Sequence, residues 1–334
     1  MVIVESYLIA IVLCFITMLC WGSWANTQKL VGKEWKFQLF YWDYSIGVLL
    51  LALFFALTLG SIGTEGRSFF EDLYQADSSS LLSAFLGGVI FNLANILIVV
   101  AIDIAGMAVA FPVGIGLALI LGVITNYIGA PVGNPYLLFA GVSAVTIAIL
   151  VDAIAYRRLS GSKESKARNG LLIALAGGIL MGFFYRFVAS SMSVDFVTLE
   201  AGKLGPYTAV VIFSLGLLVS NFIWNTLLMV KPLSGEPVKY SDYINKGSFK
   251  LHLIGILGGI IWSIGMSFSI IASGAAGFAI SYGLGQGATM IAAFWGVFIW
   301  KEFKDAPKGT NKLLSLMFTF FLVGLTLIIL ARIY

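Results

Sequence analysis

Polar side chains recur at helical spacing inside long apolar runs of this chain. A polar group in such a run is costly unless paired, so each marks either a binding position or a lock between helices. Asn92 and Asn95 are three apart and share a helix face. Ser263 and Ser267 are four apart with Trp262 alongside, and Tyr282 and Gln286 repeat that spacing among Gly283, Gly285 and Gly287. Amides and hydroxyls donate and accept hydrogen bonds without carrying charge, which suits a small neutral polar solute. Trp21, Trp24, Asn26 and Gln28 cluster late in the first apolar run. Aromatic faces beside amides fit a flat polar ring or a sugar; the competing explanation for the tryptophans is an interfacial aromatic belt.

Ionisable residues within the runs are few. Asp43 lies near the start of the second run, as a candidate carrier of a coupling proton or as a cap or partner for Lys36. Arg186 lies near the far end of the sixth run, too distant across a bilayer to meet Asp43 directly, and is expected to reach Glu5 or Asp195. Asp152 is expected to form an end-of-helix charge pair with Arg157 and Arg158. His252 is the only histidine and falls at a helix start. The chain shows no Cys/His metal cluster, no nucleophile beside a base and no phosphate loop; the glycines at 283, 285 and 287 follow no strand. No metal, cofactor or enzymatic activity is therefore expected, and a net charge of +4 gives no reason to expect nucleic acid.

Positioning these groups is the task of an all-α membrane fold. Apolar residues make up 60% of the 334 and charged residues 11%, with a mean hydropathy of +0.99. A soluble domain does not combine so much apolar surface with so few charges. Ten spanning helices are expected at 6–31, 38–60, 80–102, 106–127, 136–156, 170–190, 207–230, 251–273, 276–300 and 312–333. The first run has no basic leader and continues at spanning length, so no cleaved signal is expected. Cys14 and Cys20 stand about 9 Å apart along one helix and are not expected to pair.

The stretch 86–116 returns, without a gap, at 257–287. Leu-Gly-Gly opens both copies, Ala105-Gly106 falls on Ala276-Gly277, Gly114 on Gly285 and Gly116 on Gly287. Each copy reads as two helices joined by a very tight turn, so the chain is expected to be two inverted five-helix repeats. The division is 1–156, a polar cytoplasmic linker 157–169, and 170–334. Pro112 aligns with Gly283, suggesting a bend in the fourth and ninth helices that would serve gating. Lys29, Lys33 and Lys36 follow the first helix; Arg157, Arg158, Lys163, Lys166 and Arg168 lie at the linker. Lys231, Lys239, Lys246 and Lys250 follow the seventh, and Lys301, Lys304, Lys308 and Lys312 the ninth. The other side holds only Arg67, Lys203 and Arg332. The linker is thus expected in the cytoplasm and both termini outside.

Short motifs carry a resemblance that runs through nearly the whole chain. Asp43-Tyr44-Ser45, Gly87-Gly88-Val89 followed by Asn95, and Asn126-Tyr127 lie in the first half. Tyr207-Thr208-Ala209, Ala276-Gly277-Phe278-Ala279 and Phe294-Trp295-Gly296 followed by Glu302 lie in the second. In these the chain resembles the ureide permease family of the drug/metabolite transporter superfamily, which borders the glucose/ribose porters. Plant members carry a long central loop with a nucleotide-like motif, whereas 157–169 is short and has none. The resemblance implies proton-coupled import of a small neutral polar metabolite, a ureide such as allantoin or a nucleobase such as uracil, by alternating access. A sugar porter, or an exporter of the same superfamily, is the alternative. The implied partners are the solute, a proton or other coupling ion, and the lipid bilayer. The short loops fit a bacterial inner-membrane protein; the oligomeric state is left open.

Overall fold

The computed structural model describes residues 1–32, 35–159, 167–233 and 235–334. Most of the predicted linker, together with Lys33, Lys163 and Lys166, lies outside the described residues. The first span is α1 (Tyr7–Ser23), running through Trp24 into α2 (Ala25–Leu30), and the second is α3 (Phe37–Leu57). A short α4 (Phe69–Gln75) leads to α5 (Ser78–Ala105), α6 (Met107–Gly129) and α7 (Pro135–Leu159). Then come α8 (Ala167–Ser191), α9 (Pro206–Val230), a short α10 (Tyr240–Asn245) and α11 (Phe249–Ala276). The ninth span is α12 (Phe278–Gly285), α13 (Ala288–Phe294) and a π-helical turn, Trp295–Ile299; α14 (Thr310–Ile333) is the tenth. All ten spans are long and apolar enough to cross a bilayer, and each lies over the run predicted for it. This is a multi-pass, all-α membrane protein.

Local chemistry sets the helix ends. Gly205 and Pro206 start α9, where proline's missing N–H costs nothing. The Ser248 hydroxyl accepts from Leu251 N at 3.3 Å to start α11. Two glycines stop α5 and α11. Gly106 has φ 79° and ψ 160°, and Gly277 has φ 86° and ψ 149°. Each N–H reaches back to the carbonyl four residues earlier, on Ile102 or Ser273, at 2.8 Å. A side chain at such a φ would be strained, so one glycine makes the whole turn between two spanning helices. Sequence had placed these turns just before the glycines; the helices run through Ala105 and Ala276 up to them.

The second, seventh and eighth spans are mostly buried, whereas the first and tenth face mostly outward. Outward side chains are apolar, among them Leu8, Leu19, Phe54, Phe222 and Leu322, as a lipid-facing surface requires. The helix contacts fall into matched pairs. Helix α5 packs on α8 as α11 packs on α1, α5 packs on α9 as α11 packs on α3, and α7 packs on α14. Close approach is made by glycine. A Cβ on Gly88 would overlap Phe213 O of α9, and one on Gly216 would overlap Phe85 O of α5. The α11–α3 pair does the same: Gly259 meets Tyr44 O and Gly47 meets Ile256 O. Small residues of this kind let spanning helices touch through their backbones.

The helix bounds bear on the expected bends in the fourth and ninth spans. Helix α6 runs unbroken through Pro112, although the proline lies inside the helix and removes one i→i−4 hydrogen bond. Gly283 lies inside α12, and the ninth span is interrupted further on, at Gln286 and Gly287, and again at the π turn. No break falls at the aligned pair Pro112 and Gly283.

Candidate functional site

Aromatic rings meet between the inner helices. Trp262 of α11 stacks on Trp21 of α1, with centroids 5.9 Å apart and planes 14° apart, and on Phe213 of α9 at 5.9 Å and 19°. Phe91 of α5 lies 4.5 Å away and Tyr44 of α3 lies 6.3 Å away. Trp21 Nε1 donates to Trp262 O at 3.2 Å, so the contact is fixed in orientation as well as packed. Trp24 joins through Tyr44 at 4.8 Å. Tyr44 stacks in turn on Tyr41 at 5.1 Å and 13°. The Tyr44 side chain is fully buried, and its hydroxyl has no partner among the described residues. A buried hydroxyl without a partner is expensive, and it is a natural contact for a polar ligand.

The predicted amides are placed differently from one another. Asn92 Nδ2 donates to Leu217 O at 3.1 Å and Ser220 Oγ at 2.8 Å, tying α5 to α9; its Oδ1 has no partner among the described residues. Asn95 Nδ2 donates to the Tyr41 hydroxyl at 3.1 Å, which joins it to the aromatic group. Ser263 donates to Val48 O at 3.0 Å, while Ser267 Oγ lacks a partner among the described residues. The Tyr282 hydroxyl donates to Ala118 O at 3.1 Å and Met181 O at 3.3 Å, holding α12 against α6 and α8. Its ring reaches the central group through Phe184, 6.3 Å from Tyr282 and 5.0 Å from Phe91. Gln286 sits in the break after α12, and its side-chain amide makes no hydrogen bond to the described residues.

Asn26 lies elsewhere, in a cleft of about 110 Å³ beside Lys29, Asp152, Tyr156, Trp300 and Glu302. Its Oδ1 accepts from Trp300 Nε1 at 2.8 Å. Lys29 pairs with Glu302 at 3.1 Å, and the Tyr156 hydroxyl donates to the same carboxylate at 2.8 Å. Asp152 is buried, with Oδ1 unpartnered among the described residues. The expected pair with Arg157 or Arg158 does not form: residues five and six apart on a helix do not share a face, and Arg158 points towards Gly309.

Asp43 is held at one end of α3 by residues that no local spacing could reveal. Its Oδ1 lies 2.9 Å from His252 Nδ1 and its Oδ2 3.1 Å. The Tyr243 hydroxyl of α10 also donates to Oδ1, and Trp35 packs edge-on against His252 at 5.1 Å. Gly255 leaves room for the Asp43 side chain. Lys36 is no partner; it stands at the start of α3. Tyr243 lies outside the spans, and burial together with the Asp43 carboxylate pushes its phenol above the ordinary value. Arg186 also departs from expectation. It forms no ion pair with Glu5 or Asp195, and its guanidinium lies across Gly129 at the end of α6, where a Cβ would collide with it.

The sequence reading missed Tyr44, His252 and Tyr243. Tyr44 carried a signal in the Asp43-Tyr44-Ser45 motif. His252 carried one too, as a lone histidine in a membrane protein.

Comparison with known proteins places this arrangement. The family model described as ureide permease matches residues 40–169 and 156–331, two stretches that overlap at the central linker. Ureide permease 1 of Arabidopsis thaliana is 23% identical, over 98% of this chain and 98% of its own. Ureide permease 2 of the same plant is 23% identical over 96% of each. A solved structure, described only as the crystal structure of a protein, covers 97% of both chains with a TM-score of 0.60 and 15% identity, which shows a shared fold.

Proposed function

The chain belongs to the ureide permease family, and from that premise we propose that it carries a ureide, or a related flat neutral amide or nucleobase, across the membrane by alternating access. It is a transporter rather than an enzyme. The observation that supports the substrate class is the stack of half-buried Trp21 on buried Trp262 and Phe213, beside the Tyr44 hydroxyl, which is unpartnered among the described residues. A planar amide offers a face for stacking and an edge for hydrogen bonds. Trp24 and Asn95 join this centre through Tyr44 and Tyr41, and Gly285, next to Gln286, lies against Trp21.

The matched glycine contacts of α5–α9 and α11–α3, and the like turns at Gly106 and Gly277, support two inverted repeats of five helices divided at 157–169. Alternating access then consists of α1 and α11 parting, which separates Trp21 from Trp262 and opens the stack to a solute. Asp43, with His252 and Tyr243, is the proposed coupling group. The lysine and arginine distribution supports a cytoplasmic linker and external termini, and the short loops are what favour a bacterial inner membrane.

A thermal-shift panel of ureides, nucleobases and sugars on purified protein tests the substrate class. A ligand raises the midpoint by mass action. Allantoin or uracil should stabilise and hexoses should not. Stabilisation by sugars alone would move the assignment to a sugar porter. Counterflow in liposomes separates transport from mere binding, because a binder accumulates no labelled solute.

A further inference from the structure

The cleft between α2 and α7 is chemically unlike the aromatic centre. Two carboxyl groups, Asp152 and Glu302, face one small space that contains one cationic side chain, Lys29. Glu302 is matched: it pairs with Lys29 at 3.1 Å and accepts from Tyr156 at 2.8 Å. Lys29 is in turn steadied over the Trp300 ring at 4.7 Å. Asp152 is not matched. It is 5% exposed, and among the described residues its Oδ1 has no hydrogen-bond partner and no Lys, Arg or His nitrogen lies within salt-bridge distance. The titratable groups lining the cleft around it are Lys29 from α2, Tyr156 from its own helix and Glu302 from the segment after the π turn. Helices α6 and α14, which pack along α7, add no lining residue.

A bare carboxylate oxygen inside a spanning helix is costly, and either a cation or a proton relieves it. Among the described residues, the one cationic side chain at the cleft already serves Glu302. Asp43 does not share this condition, because His252 and Tyr243 hold its oxygens.

We propose that Asp152 is a proton-binding site, which takes a proton from water in the cleft as its carboxylate becomes the acid. It is distinct from the Asp43 group, and its use in transport rests on the transporter reading above.

The test labels reconstituted full-length protein with dicyclohexylcarbodiimide, which reacts with protonated carboxyl groups in apolar surroundings, and maps adducts by mass spectrometry across a pH series. The expected result is an adduct at Asp152 that declines as pH rises. The pH profile of labelled allantoin uptake should also change in Asp152→Asn, keeping only the part carried by Asp43, with Asp152→Glu restoring the wild-type profile. Absence of the adduct in the wild-type protein overturns the proposal. So does an unchanged pH profile in folded Asp152→Asn, as does sodium protection of the adduct without pH dependence, which would assign the site to a metal cation. If the wild-type protein moves none of the probe solutes, the transport reading fails by itself and the adduct alone decides the proton site.

Discussion

His252 Nδ1 lies 2.9 Å from Asp43 Oδ1, although the two residues are 209 positions apart. The contact joins α3 to α11, one helix from each half of the chain, and Tyr243 closes it from α10. An acid held by a histidine and a phenol at a junction between halves is placed to feel the two halves move. Asp43→Asn is nearly isosteric and copies the protonated acid. It is expected to abolish gradient-driven uptake in liposomes while counterflow persists. Loss of both activities would give Asp43 a structural role, and survival of uphill uptake would remove it from coupling.

Tyr243 supplies the pH dependence that can be read at this junction. Its phenol is pushed up from the ordinary value of about 10, first by burial and then by Asp43. A raised value favours the protonated donor, so the stability it adds is fully present below about pH 10 and is lost as pH climbs beyond that. Tyr243→Phe should lower stability by about 1–3 kcal/mol at neutral pH. It should also flatten the alkaline fall of wild-type stability. Identical alkaline melting curves for the two proteins would contradict this.

Much of the architecture was legible because a membrane leaves the backbone few options. The ten spans follow from runs of spanning length, and the hairpins from Gly106 and Gly277, whose backbone angles suit glycine. What escaped were contacts between distant segments. Asp43–His252 has no local periodicity to announce it. Asp152 was misread because sequence neighbours were treated as spatial ones, whereas a helix turns Arg157 and Arg158 away. The interruption at Gln286 and Gly287 escaped for another reason: apolar composition continues through it, and Gly283 looked equally suited to break the helix.

The amides at 92 and 286 should now part company. Asn92 is tied to α9 by two good hydrogen bonds, so Asn92→Ala should cost stability, about 1–3 kcal/mol, with little change in solute affinity. Gln286 has its amide free of the described residues. Gln286→Ala should keep wild-type stability and weaken affinity by about 2- to 13-fold, the equivalent of one neutral hydrogen bond. Thermal unfolding and binding measured on the same preparations separate the two behaviours. The opposite pattern would exchange the roles.

Gly88 and Gly259 do the same job in different helix pairs, each facing a carbonyl at a distance that admits no side chain. Gly88→Ala and Gly259→Ala should each destabilise by about 1–3 kcal/mol through overpacking. Their costs should be similar, because the α5–α9 and α11–α3 contacts are alike. A large loss in one variant and none in the other would argue against equivalent halves.

Trp262 is the ring on which the substrate assignment depends. It touches α1, α3, α5 and α9 through Trp21, Tyr44, Phe91 and Phe213. If a flat solute takes the place of one of these neighbours, Trp262→Ala removes its stacking partner. Stacking of a heterocycle on an aromatic side chain is worth about 1–3 kcal/mol, so affinity should fall by roughly 5- to 150-fold. Trp262→Phe keeps an aromatic face and should recover part of that loss. A purely structural ring would behave otherwise: Trp262→Ala would lower the melting temperature, and the protein that remained folded would bind with wild-type affinity. Measuring affinity per folded molecule, rather than uptake per cell, distinguishes these outcomes.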